Sequence, residues 1–155
     1  MSINLDLSKY VRTPGQGEVI TLGPPNSGKI IILVDPKNTG ETRFCMLIQE
    51  LDPGAVVPVH LHEREEQVLF FYAGHGKAIL GDTELEVHPG TTVYSPRQVW
   101  HGFSNTGTEP LCVLETTSPP GVENAFRELG PIAATASQET LIAIAAKYGA
   151  RFKLE

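Results

Sequence analysis

The chain has 155 residues, 41% of them apolar, and 12 Lys and Arg against 18 Asp and Glu leave a net charge of −6. That size suits one globular domain with its own core, and an acidic balance without any Lys/Arg cluster argues against nucleic acid as a partner. No apolar run reaches the roughly 18 residues of a membrane span, and the start, MSINLDLSKYVRTPGQG, lacks the basic and apolar segments of a secretory signal. The expected location is therefore the cytoplasm, with Cys45 and Cys112 as reduced residues inside apolar strands.

From residue 18 onward short apolar runs alternate with turn residues. Strands are predicted over 18–22, 29–35, 43–51, 56–62, 67–73, 76–81, 83–88, 91–96, 99–105 and 110–117. Turn signals such as DPG (52–54), AGHG (73–76), HPG (88–90) and NTGTEP (105–110) separate them. Strands in this number, with no helical period between them, predict an all-β sandwich or barrel. The prolines at 119 and 120 end the last strand because they cannot donate ladder hydrogen bonds. Helices follow, one over 122–130 and one running from a Ser137 cap to Gly149. The expected organisation is a β-barrel with its N-terminal strands over 1–117 and a helical tail over 118–155 packed on the outside of the barrel. A dimer contact or a lid over the barrel mouth are the alternatives for that tail.

The stretch GPPNSGKI (23–30) matches the first seven positions of the phosphate-binding loop G-x-x-x-x-G-K-[ST]. Ile30 stands where the Mg²⁺-binding hydroxyl belongs, and a β-branched strand follows where the loop must open a helix. A hairpin connection is expected instead.

His60 and His62 are two apart in a predicted strand, so both side chains leave the same face. His101 is the one remaining histidine embedded in strand-like sequence, whereas His75 and His88 fall in turns and are expected to be solvated. Three imidazoles from two strands of one barrel would form a metal site.

Around these residues the chain resembles the cupin family, small β-barrels of the double-stranded β-helix or jelly-roll type that carry a metal. Gly54, His60, His62 and Gly74 match the first motif, G(x)5HxH(x)3-4E(x)6G. Gly90, Pro96, His101 and Asn105 match the second, G(x)5PxGxxH(x)3N, with Gln98 in place of its second glycine. The resemblance implies a fourth ligand at Glu66 or Gln67. Six residues before Gly74 is the motif's spacing, which favours Gln67, and because a one-residue shift turns a side chain to the other face, both cannot be ligands. The apolar run after it does not distinguish the faces.

Three neutral imidazoles and an amide oxygen would leave a divalent ion its full charge, weakening binding and raising Lewis acidity relative to a carboxylate ligand. One divalent transition metal, Fe, Ni, Co, Mn or Zn, suits such nitrogen and oxygen donors. Strand parity places Leu69 and Phe71 on the side of Gln67, and Val99 and Phe103 on the side of His101, as candidate substrate-pocket residues. An ordinary barrel core is the competing reading of the two phenylalanines. Glu115 is the strand-borne acid best suited to act as a catalytic base, against the alternative of an outward, solvated carboxylate.

The tail also looks like that of bacterial quercetinase-like cupins. This resemblance implies a metal-dependent dioxygenase acting on a small aromatic or enol-like substrate, although Gln67 departs from the glutamate of those enzymes. A non-redox isomerase, lyase or uronate ring-opening enzyme and a non-catalytic small-molecule-binding module are the alternatives. Homodimer formation is expected from the same resemblance.

Overall fold

The computed structural model describes residues 6–153, so the outermost residues of both predicted segments lie outside it. Two antiparallel sheets carry the fold. The first orders its strands β1 (Glu18–Leu22), β2 (Gly28–Val34), β3 (Cys45–Leu51), β10 (Leu111–Ser118), β5 (Glu66–Ala73) and β8 (Thr92–Ser95). The second orders β11 (Ala150–Phe152), β4 (Val56–His62), β9 (His101–Asn105), β6 (Gly76–Leu80) and β7 (Thr83–Val87). This is the double-stranded β-helix, with a C-terminal helical tail of α3 (Val122–Leu129) and α4 (Gln138–Lys147).

The ten predicted strands all form, each within two residues of its expected ends. GPPNSGKI makes the hairpin between β1 and β2. Asp35, expected to end β2, instead caps a short helix, α2 (Pro36–Thr39), whose capping box with Asn38 is the helix-start signal hidden in DPKN. Another single turn, α1 (Leu7–Tyr10), begins at the Asp6 cap. β11 is an addition to the predicted elements: three residues after Gly149 pair with β4 along His60 to His62.

Burial follows strand parity. On β5, Gln67, Leu69 and Phe71 face inward while Glu66, Val68, Phe70 and Tyr72 face out, so the apolar run does have two distinct faces. Phe71 meets Phe103 edge-on, with ring centroids 5.6 Å apart, in a core shared with Leu69, Leu111 and Val113. A second cluster, Leu22, Ile30, Ile32, Cys45 and Leu47, lies under the N-terminal strands and receives Phe126 of α3.

Arg127 fixes α3 to that cluster. Its guanidinium donates to Glu18 Oε2 at 2.6 Å and to the fully buried Asp35 at 2.7 Å. The anchored helix continues through a 3-10 turn (Gly130–Ile132) to α4, and both helices contribute side chains to the wall of a cavity inside the barrel.

Candidate metal centre and cavity

β4 ends with His60 and His62, and β9 begins with His101, directly opposite His60 in the antiparallel ladder. The ring centroids of His60 lie 4.9 Å from His62 and 4.4 Å from His101, and those of His62 and His101 are 5.4 Å apart. One nitrogen from each ring falls within 4.8 Å of the others.

Hydrogen bonds to carbonyls set two of the tautomers. His60 Nδ1 sits 2.7 Å from the Pro58 carbonyl, and His101 Nδ1 lies 2.9 Å from the Val99 carbonyl and 2.8 Å from the Ser95 hydroxyl. A carbonyl can only accept, so Nδ1 carries the proton in both rings and Nε2 is left as the ligand atom. His101 Nε2 and both ring nitrogens of His62 are buried without any protein partner. Burial, with the neighbouring imidazoles His101 and His62, holds His60 well below its ordinary pKa. Burial and then His101 push His62 to about 3, and burial outweighs the Val99 carbonyl in lowering His101. Neutral imidazoles converging through unpartnered nitrogens are what a metal requires, and the triad is positioned to bind one.

Gln67 points inward and is 5% exposed; Glu66 is exposed and accepts from the Tyr94 hydroxyl at 2.8 Å. The Gln67 amide donates through Nε2 to Glu115 Oε1 at 2.8 Å, leaving its carbonyl oxygen as the free donor atom. Glu115, 1% exposed, is therefore an inward side chain rather than a solvated one. Its carboxylate also accepts from Gln49 at 2.5 Å and from Thr117 at 3.0 Å. Burial raises the Glu115 pKa against the lowering effect of these three donors.

His60, His62, Gln67, Glu115 and Gln49 open onto one cavity of about 780 Å³. Of the residues proposed from parity to line the pocket, Phe103 reaches the cavity wall, while Leu69, Phe71 and Val99 do not. Leu69 and Phe71 face the correct side but lie deeper along β5, where the barrel is filled. Val99 precedes β9 and contributes its carbonyl to His101 instead of its side chain to a pocket. The remaining wall is mainly apolar and comes largely from the tail, including Phe126, Leu129, Leu141 and Ile142, with Asn26, Gln138 and Lys153 as polar exceptions. His75 and His88 are exposed.

Two features are absent from the motif reading. Gln49, on β3, has no histidine or acid spacing to announce it, and only the β3–β10 register at Gln49 and Val113 puts it beside Glu115. Glu65 lies in a run of charged residues that looks like a solvated turn, yet it is 1% exposed. The motif's missing glycine is accounted for: Gln98 takes φ 63°, and it is the one non-glycine with positive φ among the described residues. Its peptide nitrogen donates to the His62 carbonyl at 2.8 Å, holding a left-handed turn that glycine would enter at lower cost.

A family model for the cupin domain matches residues 47–117. An uncharacterized protein of Methanocaldococcus jannaschii is 33% identical over 72 residues, which is 43% of this chain and 58% of that protein. Protein SchB of Streptomyces halstedii is 30% identical over 87 residues, 54% of this chain and 63% of its own length. The matched region thus spans less than two thirds of either curated relative. Among solved structures, polyketide cyclase RemF from Streptomyces resistomycificus superposes with a TM-score of 0.62 at 23% identity, covering 71% of this chain and 79% of that one. This last likeness is one of fold.

Proposed function

The chain belongs to the cupin superfamily through residues 47–117, and from that premise we propose that it is a metal-dependent enzyme acting on a small aromatic or enol-like substrate. The observation that carries this reading is the convergence of three imidazoles, two of which, His60 and His62, open with a buried carboxylate onto a cavity of about 780 Å³ with mainly apolar walls. That volume falls within the range of small-molecule sites.

His60, His62 and His101 through imidazole nitrogen, and Gln67 through its amide oxygen, would hold one divalent ion of Fe, Ni, Co, Mn or Zn. When bound, the ion supplies Lewis acidity at a carbonyl or enol oxygen, and, with a redox-active metal, a route to O₂. Glu115 is the catalytic base: it receives the proton released as the substrate becomes an enolate, and Gln49 and Thr117 hold the carboxylate in place. Phe103 and the tail side chains orient an apolar substrate and exclude water, which strengthens every charge interaction inside.

The first reaction class is oxygenation of that enolate, a dioxygenase chemistry. A second is non-redox carbon–carbon closure or isomerisation, favoured by one observation: a neutral Gln67 with a separate carboxylate suits metal-assisted proton transfer without any change of oxidation state. A polyketide cyclase of the same fold fits that alternative. We assign the protein to the cytoplasm, where its two free cysteines stay reduced, and propose a homodimer. The outer face of the first sheet, with exposed Val68, Phe70, Tyr72 and Tyr94, is the surface that pairing would cover.

The test is elemental analysis followed by oxygen-electrode assays of the metal-loaded protein with flavonols and other enols. About one transition metal per chain and substrate-dependent O₂ uptake support the dioxygenase. Turnover under anaerobic conditions moves the assignment to the non-redox class, and a protein that takes up no metal refutes both.

A further inference from the structure

Two of the three imidazoles have their second nitrogen tethered, and the third does not. His60 and His101 each hold Nδ1 against a main-chain carbonyl, at 2.7 and 2.9 Å. His62 has no carbonyl partner, and both its nitrogens are buried and unpaired. The acceptor facing its Nδ1 is Glu65 Oε2, 3.9 Å away, and that oxygen is likewise buried without any donor. Two orphaned polar atoms of complementary chemistry therefore face each other across a gap that a small ring rotation would close.

We propose that Glu65 is a positioning residue of the metal centre, whose carboxylate accepts the Nδ1 proton of His62 and so turns Nε2 toward the ion. The proposal rests on the metal reading of the triad. Ligating histidines are ordinarily held in this way by a carboxylate or carbonyl, which sets the tautomer and raises the basicity of the ligand. The charge also matters here: three imidazoles and an amide contribute none, so Glu65 sets an anion beside an otherwise neutral ligand set.

The surroundings show why this carboxylate is held inside. Its other oxygen lies 3.4 Å from the Arg64 guanidinium, which is itself mostly exposed and donates to the Tyr148 carbonyl. The tail supplies the rest of the seat. Glu63 donates its peptide N–H to Gly149 at 2.8 Å, and Ala150 pairs with His62. A Cβ added at Gly121 or Gly149 would come within 3.5 or 3.6 Å of a Glu65 carboxylate oxygen, so both tail glycines close directly over the group. A buried carboxylate with an unpaired oxygen is costly to a fold, and the His62 N–H is the donor that removes that cost once the ring is aligned.

The experiment measures Co²⁺ affinity by chelator competition, the visible Co²⁺ spectrum, and the thermal midpoint of the metal-free protein. It compares wild type, Glu65→Leu, Glu65→Gln and the His60→Ala/His101→Ala double variant. Glu65→Leu should weaken Co²⁺ binding by about 10- to 100-fold and alter the spectrum, with the metal-free midpoint unchanged or raised. Glu65→Gln keeps an acceptor for Nδ1–H but loses the charge, and its Co²⁺ affinity should fall between those of wild type and the leucine variant. Should the leucine variant fail to fold, Glu65→Ala takes its place. Unchanged affinity in the leucine or alanine variant overturns the proposal, as does a fall in the metal-free midpoint with affinity intact, since that marks a structural ion pair with Arg64. Failure of the metal reading has a different signature: wild type then binds no more Co²⁺ than the double histidine variant, and the role of Glu65 falls with it.

Discussion

The same strands run through two unlike halves of the barrel. Along the inward face of β10 the residues are Leu111, Val113, Glu115 and Thr117, and along β5 they are Phe71, Leu69 and Gln67. At one end these side chains interlock around the Phe71–Phe103 contact; at the other Glu115 and Gln67 join Gln49, His60 and His62 of neighbouring strands in facing a cavity. The period of two is identical in both halves, so alternation selects which residues point inward but not whether they are core or site. Filling makes the difference. A small barrel packs its own side chains wherever nothing else closes it, and here side chains of α3 and α4 form part of the wall around the open space.

If the two halves are separate in function, breaking them should have separate consequences. The largest effect is expected from His60→Ala/His101→Ala, which should abolish stoichiometric metal uptake and all activity while leaving the metal-free thermal midpoint within a few degrees of wild type. The substitution removes the unpartnered His101 Nε2 as well, which offsets part of the loss of the imidazole bonds to the Pro58 and Val99 carbonyls and the Ser95 hydroxyl. Elemental analysis and a thermal melt check both parts.

Next comes Glu115→Gln, a change of charge without change of shape, in which the Gln49 amide can turn to accept. It should lower kcat by about 10²- to 10⁴-fold, the usual contribution of a general base, with metal content unchanged. A variant as active as wild type would remove Glu115 from the chemistry.

Phe71→Ala attacks the closed half and should cost about 3–5 kcal/mol, the range for a buried phenylalanine. Metal stoichiometry in the folded fraction should stay near one per chain. Where the alanine variant is too unstable, Phe71→Leu shows the same pattern at about 1 kcal/mol. Loss of metal in parallel with stability would show that the halves are coupled.

The smallest effect concerns the anchor of α3. Arg127, first through its hydrogen bonds, holds Glu18 below the usual carboxylate range. A depressed carboxylate contributes its stabilisation above the unfolded value of 4.5 and loses it as pH falls through the lower folded value. Glu18→Gln should therefore lower stability at pH 7 by about 0.5 kcal/mol, as exposed pairs do, and the difference from wild type should vanish at strongly acid pH. Thermal melts of both proteins across that range test the sign.

Much of this division is legible in the sequence alone. β-Branched and aromatic runs between Gly, Pro and Asn turns specify strands locally, and the i, i+2 spacing puts His60 and His62 on one face whatever surrounds them. The spacing to Gly74 favoured Gln67 over Glu66, and the structure turns Gln67 inward and leaves Glu66 exposed. The distance of Leu69 and Phe71 from the cavity is not legible, because depth along a barrel depends on where the tail lines it.

What the sequence determined by itself is thus the set of strands, their inward faces and the histidines that share one of them, since each follows from steric rules acting over a few residues. Only the tertiary structure decided that Gln49 and Thr117 hold Glu115, that α3 and α4 line the cavity, and that Glu65, one acid among four charged residues in a row, lies buried beside His62. Those are contacts between residues far apart in the chain or hidden by a tail that arrives last, and local pattern carries no information about which polar side chain a distant segment will cover.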